Sequence, residues 1–408
     1  MLIYNNLDLK NLIYYIVYRN NIIPLTILFL ITVSLLIFKY YVSLLIFFLL
    51  LVSLLINNSK MKIFCRNENR VVRKLKTLKR PLVQFPFNYF STFSLFIKRQ
   101  KYMKCKTVIL DRISIDIYDN CSSNISSNCN ISNTTNTSNN TNTTNNTTTT
   151  VILVHGFSSD SKAYTVISTV EQLSKKYRCI AINYRGSLKL PLKCHKFTHI
   201  GFTDDIIDVL TYCRQKYPKT KFVLVGFSLG GHLISLLLGR DTTYNENNDI
   251  IGGVAISAPT NFKICCDNKN LYTNFIDSFF LNSQKNFFAR NKKTIPKSFY
   301  EKAMNSKSVV EMNRSISEFF CFDSLADYYR KNSCEFYMKN IEVPYLIINS
   351  YDDFVIGNYV PIDEVYRNSN IICVMTNKGG HLGFLDLNLK FGVVGIVEDF
   401  INNIQKID

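Results

Sequence analysis

The chain has 408 residues, of which 47% are hydrophobic, and a formal net charge of +18. This is enough apolar material for a large core, and it predicts one globular unit with appendages. The basic excess does not indicate nucleic-acid binding, because no RNP-like, zinc-finger or helix-turn-helix pattern accompanies it. The twelve cysteines are scattered and show no paired CxxC spacing, so we expect reduced thiols, no metal site and no cofactor.

The N-terminal part of the chain contains a long apolar segment. After a short tail at residues 1–21, residues 22–56 are almost continuously apolar, interrupted mainly by Lys39. The segment is too long for a signal-peptide core and predicts a single-pass transmembrane anchor. As one helix it would extend about 50 Å, so it must tilt, overshoot or bend in a bilayer core of about 30 Å. Two short spans of about 17 residues are one alternative, although they lack a Gly or Pro at the turn, and a buried soluble helix is another.

A basic stretch follows the predicted anchor. Residues 60–80 contain nine Lys or Arg and a single acid, Glu68. Such a segment at 57–80 suits anionic lipid headgroups, although a solvated linker explains it equally well. The positive-inside bias places this side, and the domain from residue 81 to 408, toward the cytoplasm. Asn-X-Ser/Thr triplets argue for the opposite side, but an Asn/Thr tract produces them by composition alone.

Residues 119–150 form a tract of Asn, Ser and Thr without apolar periodicity. It buries too little surface to offset its ordering entropy, so we expect a disordered insertion. Strands are predicted before it at 108–110 and 113–117, and a buried strand after it at 151–154. The insertion therefore lengthens a connection between two strands.

From residue 151 onward, short apolar strands alternate with helices. Further strands are predicted at 179–183, 221–225, 251–257, 345–349 and 371–375, and helices at 163–176, 204–217, 229–238 and 393–404. This alternation predicts an α/β fold with a mostly parallel sheet and helices on both faces. Residues 261–339 break the rhythm and carry three Phe-Phe pairs. They predict either a helical lid that meets acyl chains or ordinary helix packing.

A nucleophile elbow is predicted at the end of the strand at 221–225. Residues 226–230 read Gly-Phe-Ser-Leu-Gly and pass directly into a helix, which is the strand–turn–helix context that a G-x-S-x-G motif requires. The turn holds Ser228 in a strained conformation at the top of the sheet. Gly226 and Gly230 are expected there because side chains would collide with neighbouring backbone.

A serine hydroxyl needs a base, and His381 is the candidate. In this fold the order is serine, acid, histidine, so only histidines after Ser228 qualify. His232 lies one turn along the helix that leaves the elbow and cannot swing back with an acid between them. His381 lies in a glycine-rich loop after the last strand, where an imidazole can face the serine.

The strand at 345–349 is followed by two carboxylates, Asp352 and Asp353, either of which can orient the imidazole. We predict Asp353, because this acid commonly lies three residues after a small residue that closes the strand, here Ser350. Asp352 would then cap the loop or bind its backbone. Alternatively, both carboxylates serve only to form the turn.

Acyl transfer also requires donors for the developing oxyanion. The first is the Leu229 N–H, directly after the nucleophile. The second is the Phe157 N–H, because the sequence His155-Gly156-Phe157 follows the strand at 151–154 and the glycine allows the backbone to turn toward the site. His155 is then structural.

Several short motifs occur together, and the chain resembles the α/β-hydrolase branch called AB hydrolase family four, which contains YheT-type esterases and animal membrane-bound lipases and phospholipases. The matching stretches are 155–156, 183–186, 203–205, 226–231, 327–330, 352–353 and 379–384. The resemblance implies an α/β-hydrolase fold, a Ser228–Asp353–His381 triad and an N-terminal anchor. Three departures are His232 in place of Asn, Phe354 in place of Pro, and a shortened segment between residues 315 and 328.

Together these features predict a membrane-anchored serine hydrolase that cleaves carboxylic esters of lipid-like acyl substrates, such as acylglycerols or phospholipids. An acyltransferase that uses the same acyl-enzyme with an alcohol acceptor is a close alternative. A non-catalytic membrane scaffold of the same fold is a third possibility, against which the complete triad argues. Head group, acyl length and oligomeric state are not predicted.

Overall fold

The computed structural model describes residues 25–56, 58–59, 61–66, 82–83, 103–119, 149–188, 190–241, 244, 248–267, 271–386 and 391–406. The chain divides into two compact units, residues 1–57 and 58–408. The predicted tail at 1–21, most of the basic linker and residues 120–148 of the predicted insertion lie outside the described residues.

The first unit contains helix α1, Leu25–Ile56. Its side chains are described over residues 32–46 and at residue 48, and large apolar ones such as Leu35 and Phe38 are mostly exposed. Among the described residues, none of the helices combines the length and apolar character needed to cross a bilayer. The predicted single-pass anchor at 22–56 is therefore not supported by the described part of the chain.

The strands of the second unit are β1 Asn58–Ser59, β2 Met61–Cys65, β3 Leu82–Val83, β4 Lys106–Leu110, β5 Ile113–Tyr118, β6 Thr149–Val154, β7 Arg178–Asn183, β8 Lys221–Phe227, β9 Ile250–Ile256, β10 Tyr345–Ser350 and β11 Ile371–Thr376. Nine of them form one sheet with the order β2-β11-β10-β9-β8-β6-β7-β5-β4. The other two, β1 and β3, pair antiparallel in a separate sheet.

The six strands from β6 to β11 run parallel, as the alternation of strands and helices predicts. In the described part of this nine-stranded sheet, the antiparallel pairs lie toward the edges, where β2 joins β11 and where β5 joins β7 and β4. Both faces of the sheet are buried: Ile152 and Val154 face one core cluster, and Val151 and Leu153 face the other. This two-sided burial explains why the central strands are continuous apolar runs rather than alternating ones.

Helices cover both faces and connect the parallel strands. They are α2 Tyr164–Leu173, α3 Asp204–Lys216, α4 Leu229–Gly239, α5 Phe262–Asp267, α6 Leu271–Arg290, α7 Lys297–Asn305, α8 Val309–Phe319, α9 Leu325–Asn332, α10 Ile362–Arg367 and α11 Val394–Ile404, with a 3-10 helix at Cys334–Asn340. The predicted α/β-hydrolase architecture, a mostly parallel sheet between helices, is confirmed.

The boundary predicted between the linker and the domain is wrong. Strand β2, Met61–Cys65, lies inside the predicted linker at 57–80 but pairs antiparallel with β11, so that Ile63 lies opposite Val374. The apolar residues of this short segment pair with an otherwise open sheet edge. The density of Lys and Arg around it obscured the strand in the sequence.

The predicted lid region at residues 261–339 contains α5 to α9 and the 3-10 helix. Part of its aromatic content is ordinary packing, because Phe197 stacks on Phe299 and Phe319 with ring centroids 5.6 and 5.7 Å apart. Other phenylalanines, including Phe280 and Phe287, line the cavity described below. Ordinary packing therefore accounts for part of the Phe-Phe pairs, whereas the lid stays a prediction.

Candidate active site

Ser228 lies on the sharp turn between β8 and α4. Its φ is +52°, in the left-handed region that non-glycine residues rarely adopt. A Cβ at Gly230 would lie 2.1 Å from the Val154 carbonyl oxygen, and one at Gly226 would lie 2.4 Å from the Gly231 nitrogen. The elbow therefore requires glycine on both sides of the serine, for the reason that the sequence predicts.

The structure brings Ser228, His381 and Asp353 together from three separate segments. The His381 Nε2 atom lies 2.9 Å from Ser228 Oγ, and His381 Nδ1 lies 2.9 Å from Asp353 Oδ2 and 3.1 Å from Oδ1. Because the carboxylate can only accept, Nδ1 carries the ring proton and Nε2 is left with a lone pair toward the serine hydroxyl. This is the arrangement that a general base for serine requires.

Asp353 is completely buried and receives backbone hydrogen bonds in addition to the imidazole. Its Oδ1 accepts from the Val355 N–H at 3.1 Å and from the Ile356 N–H at 3.4 Å. These donors compensate the loss of hydration of the carboxylate in the interior. The carboxylate is therefore held in one orientation against the imidazole.

Three side chains hold the loop that carries His381: the half-buried Asp352 and the buried Ser350 and Ser257. Asp352 Oδ1 accepts from the Gly380 N–H at 2.8 Å, and Ser350 Oγ donates to the Gly380 carbonyl at 3.1 Å. Ser257 Oγ accepts from the Leu382 N–H at 3.1 Å. Asp352 thus binds the histidine loop rather than the backbone of its own loop. Sequence reasoning missed Ser257, because a serine at a strand end carries no signal of its tertiary partner.

The residues predicted to stabilise an oxyanion lie beside the nucleophile. A Cβ at Gly156 would lie 3.2 Å from Ser228 Cβ, so the loop at residues 155–157 passes directly next to the serine. Leu229 opens α4, where the first backbone N–H groups have no partner within the helix. Phe157, Ser228 and Leu229 all line the same cavity.

His155 is buried at the base of this loop. Its Nδ1 donates to the Gly156 carbonyl at 2.8 Å, and the Tyr184 hydroxyl donates to the His155 carbonyl at 2.8 Å. Burial lowers the pKa of the His155 imidazole to about 4, so the ring is neutral near pH 7. Its contacts agree with the structural role predicted for it. Tyr184 was not predicted to support the loop.

His232 is buried inside the helix packing and takes no part in the cluster around Ser228. Its Nε2 lies 2.8 Å from the Ile200 carbonyl oxygen and its Nδ1 lies 3.1 Å from that of Pro259. Burial lowers the pKa of this imidazole to about 4. The neutral ring therefore donates to a carbonyl and leaves His381 as the base beside Ser228.

Ser228 opens onto a cavity of about 1310 Å³. Helix α6 forms part of its wall, since Ile276, Phe280 and Phe287 recur along one helical face. The Phe280 ring packs edge-on against Phe157, with centroids 5.5 Å apart. Residues of the predicted lid region therefore enclose the space next to the nucleophile.

Comparison with known proteins agrees with this fold. The family model described as the alpha/beta hydrolase fold matches residues 149–386, which is more than half of the chain. The chain therefore belongs to the α/β-hydrolase fold family.

A zebrafish (Danio rerio) protein named monoacylglycerol lipase ABHD2 is 27% identical over 253 residues, which cover 58% of this chain and 58% of the relative. A human (Homo sapiens) protein named phospholipase ABHD3 is 26% identical over 244 residues, covering 58% of this chain and 59% of the relative. The chain thus spans somewhat more than half the length of these curated relatives. A solved esterase from Pyrococcus furiosus covers 72% of this chain and 92% of its own, at 18% identity and a TM-score of 0.41.

Proposed function

We propose that this protein is a serine hydrolase that cleaves carboxylic ester bonds through an acyl-enzyme. The observation that carries the proposal is the continuous hydrogen-bonded series from Ser228 Oγ through the His381 ring to the Asp353 carboxylate. Of the side chains in contact with Ser228, the His381 imidazole has the free lone pair that a general base needs.

The reaction follows from this geometry. Ser228 Oγ attacks the acyl carbonyl while its proton passes to His381 Nε2, and Asp353 stabilises the imidazolium that forms. His381 then returns the proton to the leaving alcohol, which departs and leaves an ester on Ser228. Water, deprotonated by His381, attacks this ester, and the carboxylic acid leaves as His381 returns the proton to Ser228 Oγ.

We assign the Leu229 and Phe157 N–H groups to the oxyanion. Leu229 follows the nucleophile at the start of α4, where the positive end of the helix dipole favours negative charge. Phe157 follows the glycine that lies against Ser228. Two such donors, fixed before the substrate arrives, stabilise the tetrahedral intermediate without further reorganisation.

The substrates we propose are lipid-like acyl esters, such as acylglycerols or phospholipids. The cavity exceeds the range of about 300–1,000 Å³ that serves drug-sized ligands, and aromatic side chains of α6 line it. The related proteins are named a monoacylglycerol lipase and a phospholipase. A long acyl chain suits an apolar cavity of this size.

Two further features belong to this proposal. We propose that residues 261–339 act as a lid over the cavity, since α6 and α8 both contribute side chains to its wall. We also propose that the protein associates with a membrane, since exposed apolar side chains such as Leu35, Phe38 and Leu45 on α1 require an apolar partner. A catalytic domain facing the cytoplasm stays a prediction from the sequence.

Hydrolysis of mono-, di- and phosphoglycerides of graded acyl length by the purified full chain tests the proposal. Release of fatty acid by the wild type and its loss in Ser228→Ala would support it. No release from any of these esters would contradict it. Product analysis with an added alcohol separates hydrolysis from acyl transfer, because an acyltransferase forms a new ester at the expense of the free acid.

A further inference from the structure

A strongly basic segment borders the cavity. Residues 285–307 contain seven Lys or Arg and one acid, Glu301. They comprise the end of α6, the turn after it and helix α7. This density of charge lies outside the basic linker and has no role in the chemistry at Ser228.

Six of these seven basic residues are exposed, and two of the six line the cavity. Arg290 and Lys307 line the cavity that contains Ser228, and both are exposed. Lys292 and Lys293 are exposed in the turn directly after Arg290. We call Arg290, Lys292, Lys293, Lys297 and Lys307 the basic rim.

The turn that carries Lys292 and Lys293 is fixed to the rest of the domain. The residue before the pair, Asn291, accepts from the Leu192 N–H at 2.9 Å through its side-chain oxygen. The residue after the pair, Thr294, donates from Oγ1 to the Leu192 carbonyl at 2.9 Å. The two lysines are therefore presented to solvent by an anchored turn.

The acids nearby neutralise little of the basic rim. Within the described residues, Lys297 forms one long pair with Glu301 at 3.9 Å, whereas Arg290, Lys292 and Lys293 form no ion pair. Two other carboxylates accept hydrogen bonds from backbone N–H groups. Asp277 accepts from Val309, and Glu311 accepts from Lys307. Most of the positive charge is therefore available to an external partner.

An exposed apolar side chain lines the same cavity. Leu188 lines the cavity and is 42% exposed. The exposed Leu188 and the cationic side chains of the basic rim complement the two layers of a lipid surface, which has anionic headgroups above acyl chains.

We propose that the basic rim docks on an anionic lipid surface and presents the cavity opening to it. This inference rests on the proposed lipid-ester hydrolysis. Lipid is favoured over nucleic acid because Arg290 and Lys307 line the cavity together with apolar side chains, so that a membrane would deliver the acyl ester directly. A nucleic-acid partner would leave Leu188 and the cavity unused.

The test uses the full chain reconstituted in vesicles of phosphatidylcholine, with or without about one-fifth phosphatidylserine, each containing a lipid ester. The wild type should hydrolyse the ester faster in the anionic vesicles, and salt above about 0.5 M should remove the difference by screening. The preference is the ratio of the hydrolysis rate in anionic vesicles to that in neutral ones. In the triple variant Lys292→Gln, Lys293→Gln, Lys297→Gln this ratio should fall by about tenfold at low salt. These lysines do not line the cavity, so hydrolysis of the water-soluble ester p-nitrophenyl butyrate should be unchanged.

A charge-matched control replaces Lys175, Lys216 and Lys219 by Gln. These exposed residues precede β7 and β8, at the N-terminal ends of the strands, whereas Ser228 follows the C-terminal end of β8. The control should therefore behave as wild type. Equal hydrolysis in both kinds of vesicle by wild type, or an anionic preference retained by the triple variant, would overturn the docking proposal. RNA binding at 0.15 M salt by wild type but not by the triple variant, without a lipid response, would also overturn it. Failure of the wild type on the soluble ester would instead count against the proposed function.

Discussion

Asp352 and Asp353 are neighbours in the chain, but their carboxylates contact different parts of the His381 loop. Asp353 lies 2.9 Å from the His381 Nδ1 atom, whereas Asp352 accepts from the backbone N–H of Gly380. The two adjacent acids thus have different roles: Asp353 orients the imidazole, and Asp352 holds the backbone of the loop that carries it.

This division predicts different outcomes for the same substitution at the two positions. Asp353→Asn should lower kcat for ester hydrolysis by about 10⁴, because an amide cannot stabilise the imidazolium and favours the wrong tautomer. Asp352→Asn keeps an oxygen that can accept from Gly380 and should lower kcat by about tenfold or less. Steady-state kinetics on p-nitrophenyl butyrate provide the comparison, and an Asp352→Asn loss equal to that of Asp353→Asn would contradict the assignment.

Ser257 positions the histidine loop and should affect catalysis without touching the substrate. Ser257→Ala removes the hydroxyl that accepts from the buried Leu382 N–H, which costs about 1 kcal/mol of the free energy of unfolding. We expect kcat to fall by about tenfold with little change in KM, because only the placement of His381 is disturbed. Ser257→Gly suits the φ of +50° at this position but also lacks the hydroxyl, so kcat should fall by a similar factor; wild-type activity in either variant would argue against a positioning role.

Gly230 and Gly395 form a matched pair for testing the packing of the elbow. A Cβ at Gly230 would lie 2.1 Å from the Val154 carbonyl oxygen, whereas one at Gly395 meets nothing within 4 Å. Gly230→Ala should therefore reduce the free energy of unfolding by more than about 3 kcal/mol. Gly395→Ala, near the start of α11, should be neutral or stabilising by up to about 1 kcal/mol. Urea unfolding measures both, and equal stability of the two variants would refute the described elbow geometry.

The pH dependence of stability should report on Asp116, which anchors the segment after the oxyanion loop. Burial opposes ionisation of this carboxyl, but hydrogen bonds from Lys162, Ser161 and Thr107 outweigh it and hold the pKa below its ordinary value. A lowered pKa in the folded state stabilises the fold above the unfolded pKa of about 3.9, and this contribution is lost as the pH falls through the folded value.

Lys162→Met should consequently lower Tm at pH 7, by an amount equivalent to about 1 kcal/mol because Lys162 is half exposed. The difference from wild type should shrink as the pH falls below about 4. Lys216→Met, which removes an exposed lysine at the end of α3, serves as the control and should show no such trend. Thermal melts between pH 3 and 8 measure the difference in Tm between wild type and Lys162→Met. A difference that grows as the pH falls would contradict the prediction.

Much of the fold was predictable because its signals are local. The parallel strands appear as short apolar runs, and the observed bounds of β8, β10 and β11 differ from the predicted ones by one or two residues. Ser228 and its glycines were identifiable because the strained turn restricts which residues fit. His381 followed from the chain order of the fold and from the glycines around it.

Other features depend on tertiary contacts that leave no local pattern. Strand β2 is a five-residue segment flanked by Lys60 and Arg66, and it is recognised as a strand through its pairing with β11. The Tyr184 hydroxyl reaches His155 across 29 residues, and Ser257 reaches Leu382 across 125. Hydrogen bonds between such distant residues become visible only when the sheet is assembled.

Fluorophosphonate labelling tests the central claim most directly, because the probe reacts covalently with a serine only when a base activates it. The purified full chain should incorporate one label, located at Ser228 by peptide mass spectrometry, while Ser228→Ala should remain unlabelled and His381→Ala should label far more slowly. A wild-type chain that stays unlabelled, or a Ser228→Ala variant that labels as well as wild type, would contradict the account.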